Sequence, residues 1–430
     1  MVNYEIFFLT VFIKFFIYLF IVLKYRFHLI KPSVIILFII FVRVEIGILL
    51  NYDNINNFLV DSDNFFLISF IFPLIALLIS ISYNNFRFLK FYEVISMKGT
   101  HFSKINFKKT EAFLLIILFG IAFFYIYNVS IYNTGLYAII FDPENSDLAR
   151  ENSFKLLTNT YIIYSFSILS STVAPLIIAI YAYRLAKTNN KTLDNFFTFF
   201  KIIIIVLIVC LPGSRAAASY LALSFFATYW YSKSMRTNLT FVIISLVLIT
   251  MIPLLLTVLR NDEFINFQSL IFYLNNSIID RIFIINGTVA SWYYDYVSNN
   301  GFVGIAGVAK LASLFQIESI DMHNVIGLTY KPHAIESISA GTAFFFAYYS
   351  LFGINGIFLS FFCLVLLDFI SIFFYSRIDK NFLPIVLGCI FVSLFHIAET
   401  NFETILITHG FLPILLISFF LARKKRKNDV

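Results

Sequence analysis

Apolar windows of roughly 17–23 residues recur along this chain almost from end to end, each the length of helix that crosses the hydrocarbon core of a bilayer. In lipid every backbone N–H and C=O must find its partner inside the segment, and an α-helix achieves that. The windows fall near 6–23, 33–50, 65–82, 112–130, 161–183, 196–212, 215–231, 239–258, 352–375, 383–398 and 405–422, about eleven spans in all. Composition agrees: the chain is 60% hydrophobic and only 13% charged, whereas a soluble domain is about half apolar and about a quarter charged. The expectation is an all-α polytopic membrane protein, with residues 1–430 forming a single integral membrane domain. The 56 Phe, with the many Ile, Asn and Lys, read as the mark of an AT-rich genome and carry no functional weight. Cys210, Cys363 and Cys389 lie in apolar segments and offer no CxxC spacing and no disulfide framework. The first apolar stretch lacks a basic leader and a small-residue cleavage site, so it reads as a retained helix.

Orientation follows from where Lys and Arg sit in the loops. One set of loops holds Lys24, Arg26 and Lys31, the basic run Arg87 to Lys109, Arg184 to Lys201, Lys233, Arg236, Arg377, Lys380 and the tail Arg423 to Lys427. The alternate loops carry Asp53, Asp61, Asp63, Asp142, Glu144 and Asp147. This predicts an external N-terminus and a cytoplasmic C-terminus. The net charge of +7 is then a cytoplasmic rim attracted to anionic membrane lipids, not a nucleic-acid surface.

Two external segments stand out by length, Ile131 to Thr160 and a longer one of about 259–351. Loops beyond about 12–15 residues are usually functional or disordered. The second is too aromatic for disorder, and Phe264 to Leu274 and Ala306 to Phe315 read as interfacial or re-entrant helices. Facing the same side is Cys210-Leu-Pro-Gly-Ser-Arg215, where an apolar run stops at Pro212-Gly213 and another starts at once. Pro and Gly break helices, so this is a tight hairpin with Arg215 in the first turn of the second helix. Guanidinium and free N–H groups together suit an anion such as phosphate, with Ser214 beside them.

Other external cations are Arg260, Arg281, Lys310 and Lys331. Near Lys331 in Tyr330-Lys-Pro-His-Ala-Ile-Glu336 lie His333 and Glu336, which share a face if residues 334–339 are helical. A cation for phosphate and an imidazole or carboxylate for a proton form a minimal kit for group transfer from a phosphate leaving group. His323 with Asp321 competes for the proton, and His396 with Glu399 and Glu403 is a further candidate substrate contact. No spacing suggests a metal site and no Gly-rich nucleotide loop is present, so no cofactor is expected. Lys14, Arg43, Glu45 and Asp368 fall inside spans, where charges must be paired or line a wet cavity, and Lys14 is expected to pair with Glu45 or Asp368.

The Gly213-Ser214-Arg215 turn, the long late external loop, Pro332-His333, Gly341 and Tyr349-Ser-Leu-Phe-Gly-Ile-Asn-Gly356 together resemble bacterial O-antigen polymerases (Wzy) and related oligosaccharide repeat-unit polymerases. The related O-antigen ligases share the outline. The resemblance implies a GT-C-like glycosyltransferase of the bacterial inner membrane, acting at its periplasmic face. Its donor would be a glycan on undecaprenyl diphosphate and its acceptor a hydroxyl of an incoming lipid-linked repeat. It implies phosphate binding by Arg215 and Arg281, with Arg260, Ser214 and Lys331 in support, and a base at His333 or Glu336. A chain-length regulator would be a partner. The alternatives are a ligase moving glycan to lipid A core or protein, and a lipid-linked oligosaccharide flippase.

Overall fold

In the computed structural model, residues 4–96, 107–142, 149, 152–153, 156–157, 160–187, 192–213, 215–235, 280, 283–331 and 340–423 are described. The helices that organise them are α1 (Tyr4–Leu23), α2 (Pro32–Leu50), α3 (Ser62–Ser82), α4 (Phe107–Val129), α5 (Ile162–Lys187), α6 (Thr192–Val209), α7 (Arg215–Ser232), α8 (Ile285–Asn300), α9 (Met322–Tyr330), α10 (Phe344–Phe352), α11 (Ile354–Tyr375), α12 (Leu383–Ala398) and α13 (Phe402–Leu421). The only β pairing among the described residues is an isolated bridge between Ile378 and Arg423. Among the described residues seven helices, α1 to α5, α11 and α13, are long and apolar enough to cross a membrane. The apolar parts of α6 and α12 are shorter, and α7 is a helix of 18 residues. The stretch 239–258 lies outside the described residues. The chain is an all-α, multi-pass membrane protein. Phe8, Phe12, Phe15, Phe16 and Phe20 leave one side of α1 exposed and apolar, as a lipid-facing helix requires.

The described chain divides into two units. The first comprises Met1–Leu89, Ile279–Ile372 and Leu394–Ile405. Its buried charges are paired or hydrogen-bonded, which lowers the penalty of holding them in lipid. Lys14 donates to Glu45 at 2.6 Å and to the Phe70 carbonyl at 2.7 Å. Phe70 lies in a π-helical turn, Leu67–Ile71, and Glu45 closes another, Phe41–Glu45. Widened turns disturb the regular ladder, and the ammonium satisfies a carbonyl at one of them. Asp368 accepts from the Ser33 N–H (3.0 Å) and hydroxyl (2.7 Å) and from Tyr83 (2.6 Å), placing a carboxylate on the N-terminus of α2. Of the two expected partners for Lys14, then, Glu45 is the one it binds.

The described part of 259–351 is more than a surface loop. Within it α8 packs backbone to backbone on α2, where a methyl group on Gly287 would stand 2.6 Å from Ile48 N and one on Gly47 1.7 Å from Phe283 O. Small residues at a crossing let helix axes approach. Asn286, Thr288 and Ser291 lower the hydropathy of α8, yet Asn286 and Ser291 are buried. Ala306 to Phe315 forms a 3-10 turn, Gly304–Gly307, and a short helix, Ala309–Leu314, ending at exposed Leu314 and Phe315. The expected helix at 264–274 lies outside the described residues.

The second unit comprises Lys90–Ile278, Phe373–Ser393 and Leu406–Val430. In it Glu111 of α4 gathers Tyr181 (2.8 Å), Arg184 and Lys201 (3.1 Å). The hairpin between α6 and α7 is present: Gly213 N–H donates to Cys210 O at 2.7 Å, and Gly213 takes φ of +88°, which favours glycine. The Gly135 backbone lies directly on this turn, and Leu136 N–H donates to Leu211 O at 3.0 Å.

Candidate functional site

Val289 and Tyr293, four residues apart, share one face of α8 and pack with Met322, Ile326 and Ala340. Asp321 caps α9, accepting from the His323 N–H at 3.1 Å, and so fixes the start of the helix that carries His323. Beside this cluster, within the first unit, opens a cavity of about 360 Å³ lined by Tyr293, Asp321, His323, Ser350, Asn401 and Glu403 among others. That volume lies in the lower part of the range of small-molecule sites, roughly 300–1,000 Å³.

His323 is held by its Nδ1. Tyr293 Oη lies 2.7 Å from Nδ1 and donates to the Ala340 carbonyl at 3.1 Å, while Nδ1 itself stands 3.2 Å from that carbonyl. A carbonyl only accepts and the tyrosine donates to it, so the tautomer that fits both contacts carries its proton on Nδ1, where it can donate to Tyr293 Oη or to the same carbonyl. This leaves Nε2 as the ring's acceptor, with no hydrogen-bond partner among the described residues. Burial, reinforced by Asp321, pushes the Tyr293 phenol well above its ordinary pKa, so it serves as a donor and not as a base.

The far wall is anchored from α2. Arg43 donates to the Phe395 carbonyl at 3.2 Å and to the Glu399 carboxylate, and its guanidinium lies 4.6 Å from the Phe395 ring centre. Gly341 rests against the Glu399 backbone, where a methyl group would fall 2.1 Å from the carbonyl oxygen. The turn so held leads to Asn401 and Glu403. Glu403 accepts from Tyr348 at 2.8 Å, and burial together with this carboxylate raises the Tyr348 phenol. Asn401 Oδ1 is a buried acceptor with no partner among the described residues. Neither Lys nor Arg is among the described lining residues.

No family model, curated protein or solved structure matches the chain.

The cavity thus unites Asp321 and His323 with Glu403, all three noted in the sequence as secondary candidates. Glu399 instead spends its charge on Arg43. Lys331 ends α9, is exposed and lies 5.8 Å over the Trp292 ring, which stacks on Tyr330 at 5.5 Å. Tyr330 donates to Asp295 at 2.5 Å, and burial, with that carboxylate, raises its phenol. The segment 332–339, with His333 and Glu336, leaves from Lys331 and returns at Ala340, whose N–H donates to His323 O at 3.0 Å; 332–339 itself lies outside the described residues. Arg215 is the first residue of α7. Its side chain, and Ser214, Arg260 and Arg281 entirely, lie outside the described residues. Tyr293 and Asn401 are the site residues that sequence reasoning missed. Setting the aromatic count aside removed the first, and nothing around Asn401 marks it out.

Proposed function

We propose that the protein is a polymerase of oligosaccharide repeat units carried on undecaprenyl diphosphate, working at the periplasmic face of a bacterial inner membrane through about eleven spans arranged in a GT-C-like manner. The observation that carries this reading is the cavity in which an imidazole, its Nε2 without a partner among the described residues, meets two carboxylates and a buried amide oxygen. That chemistry suits a sugar hydroxyl that must give up a proton. The diphosphate is already a good leaving group, so neither nucleotide nor metal is needed. Arg215 and Arg281, with Arg260, Ser214 and Lys331 in support, neutralise the charge that grows on the departing diphosphate, an interaction strongest in the transition state. A base, His333 or Glu336 on the sequence argument and His323 on the cavity's, takes the acceptor proton, and the anomeric centre inverts.

A strain deleted for this gene and complemented with Arg215→Ala tests the reading. The variant is expected in the membrane at normal abundance while the ladder of long polysaccharide chains collapses to single repeats. A normal ladder excludes the assignment, and loss of even the single repeat from its final acceptor points to a ligase.

A further inference from the structure

We infer that the cavity holding Asp321, His323, Asn401 and Glu403 takes a neutral or amino-bearing sugar ring and rejects acidic sugars. Its polar lining is rich in acceptors: two carboxylates, and the Asn401 Oδ1 and His323 Nε2 that have no partner among the described residues, beside the hydroxyls of Ser319, Ser350 and Thr404. An acceptor-rich wall needs a ligand rich in donors, and sugar hydroxyls and ammonium groups supply them. Among the described lining residues the charged side chains are the carboxylates of Asp321 and Glu403, with no Lys or Arg, so a uronate or other sugar carboxylate would face like charges in a partly desolvated space. The volume of about 360 Å³ is enough to admit a sugar ring.

The role of that ring rests on the glycosyl-transfer reading above, in which it is the acceptor. Its hydroxyl oxygen bonds to the anomeric carbon, its proton passes to His323 Nε2, and the anomeric C–O bond breaks with its electron pair leaving on the diphosphate. The cavity's preference among sugars rests on its lining alone.

Saturation-transfer NMR on the full chain in lipid nanodiscs at neutral pH, with methyl glucoside, methyl glucosaminide and methyl glucuronide as probes, reads this preference. Transfer to the first two is expected to exceed that to the glucuronide by at least about tenfold. Asp321→Asn with Glu403→Gln should bring the glucuronide within about twofold of the glucoside, since Asn still caps a helix and Gln still accepts from Tyr348. Where the double variant unfolds, Glu403→Gln alone is read in the same way. Equal transfer to all three probes, transfer to none, or a preference unmoved by the variants overturns the inference. A missing preference beside a lost ladder in Arg215→Ala removes the cavity assignment and leaves glycosyl transfer standing; a clear preference beside an intact ladder does the reverse.

Discussion

Lys14 and Glu45 are 1% and 0% exposed, and each is tolerable in the bundle interior only because the other is there. Removing one partner of a buried pair leaves an uncompensated charge and costs about 3–5 kcal/mol, whereas replacing both by apolar residues is often neutral. Lys14→Met is therefore expected to lower the thermal midpoint and yield of the purified protein, and Lys14→Met with Glu45→Leu to restore most of both. Equal loss in the single and double variants would contradict the pairing. At this scale the sequence was informative about cost and less so about partners. Charges inside apolar runs announced that Lys14, Arg43, Glu45 and Asp368 need company. Asp368, a candidate for Lys14, instead binds Ser33 and Tyr83, and Arg43 reaches Glu399, because helix order in a bundle is not written in span positions. His323 and Glu403 lie far apart in the chain, and only folding brings them to one cavity.

The hairpin before α7 was legible because Pro212 and Gly213 interrupt two apolar runs, and Gly213 does take the left-handed conformation. Helix α8 was not, because hydropathy reads the outside of a helix and α8 owes its place to contact between backbones. Gly47→Ala and Gly287→Ala each push a methyl group into the facing backbone, at 1.7 Å and 2.6 Å. Overpacking of this kind costs about 1–3 kcal/mol. Both variants are expected to melt lower than the parent, and Gly120→Ala, with nothing within 4 Å and better helix propensity, to melt no lower. Identical melting of all three would mean that α2 and α8 do not cross at these glycines.

At the scale of the whole molecule, recurring apolar windows and scarce charge were enough to read an all-α protein that crosses the membrane many times. The proposed topology and chemistry add direction to that frame: diphosphate chemistry on one face, a basic rim on the other, and a cavity whose acceptors await a hydroxyl. In this account the lipid diphosphate is both the energy source and the leaving group. The measurement that tests it directly uses the purified full chain in nanodiscs with lipid-linked repeats from a strain lacking the protein, followed by mass spectrometry in the presence of a metal chelator and no nucleotide. The account predicts doubled and longer lipid-linked glycans, one free polyprenyl diphosphate for each bond formed, and loss of both products in Arg215→Ala. Glycans that stay single with no diphosphate released, or full activity in Arg215→Ala, would contradict it.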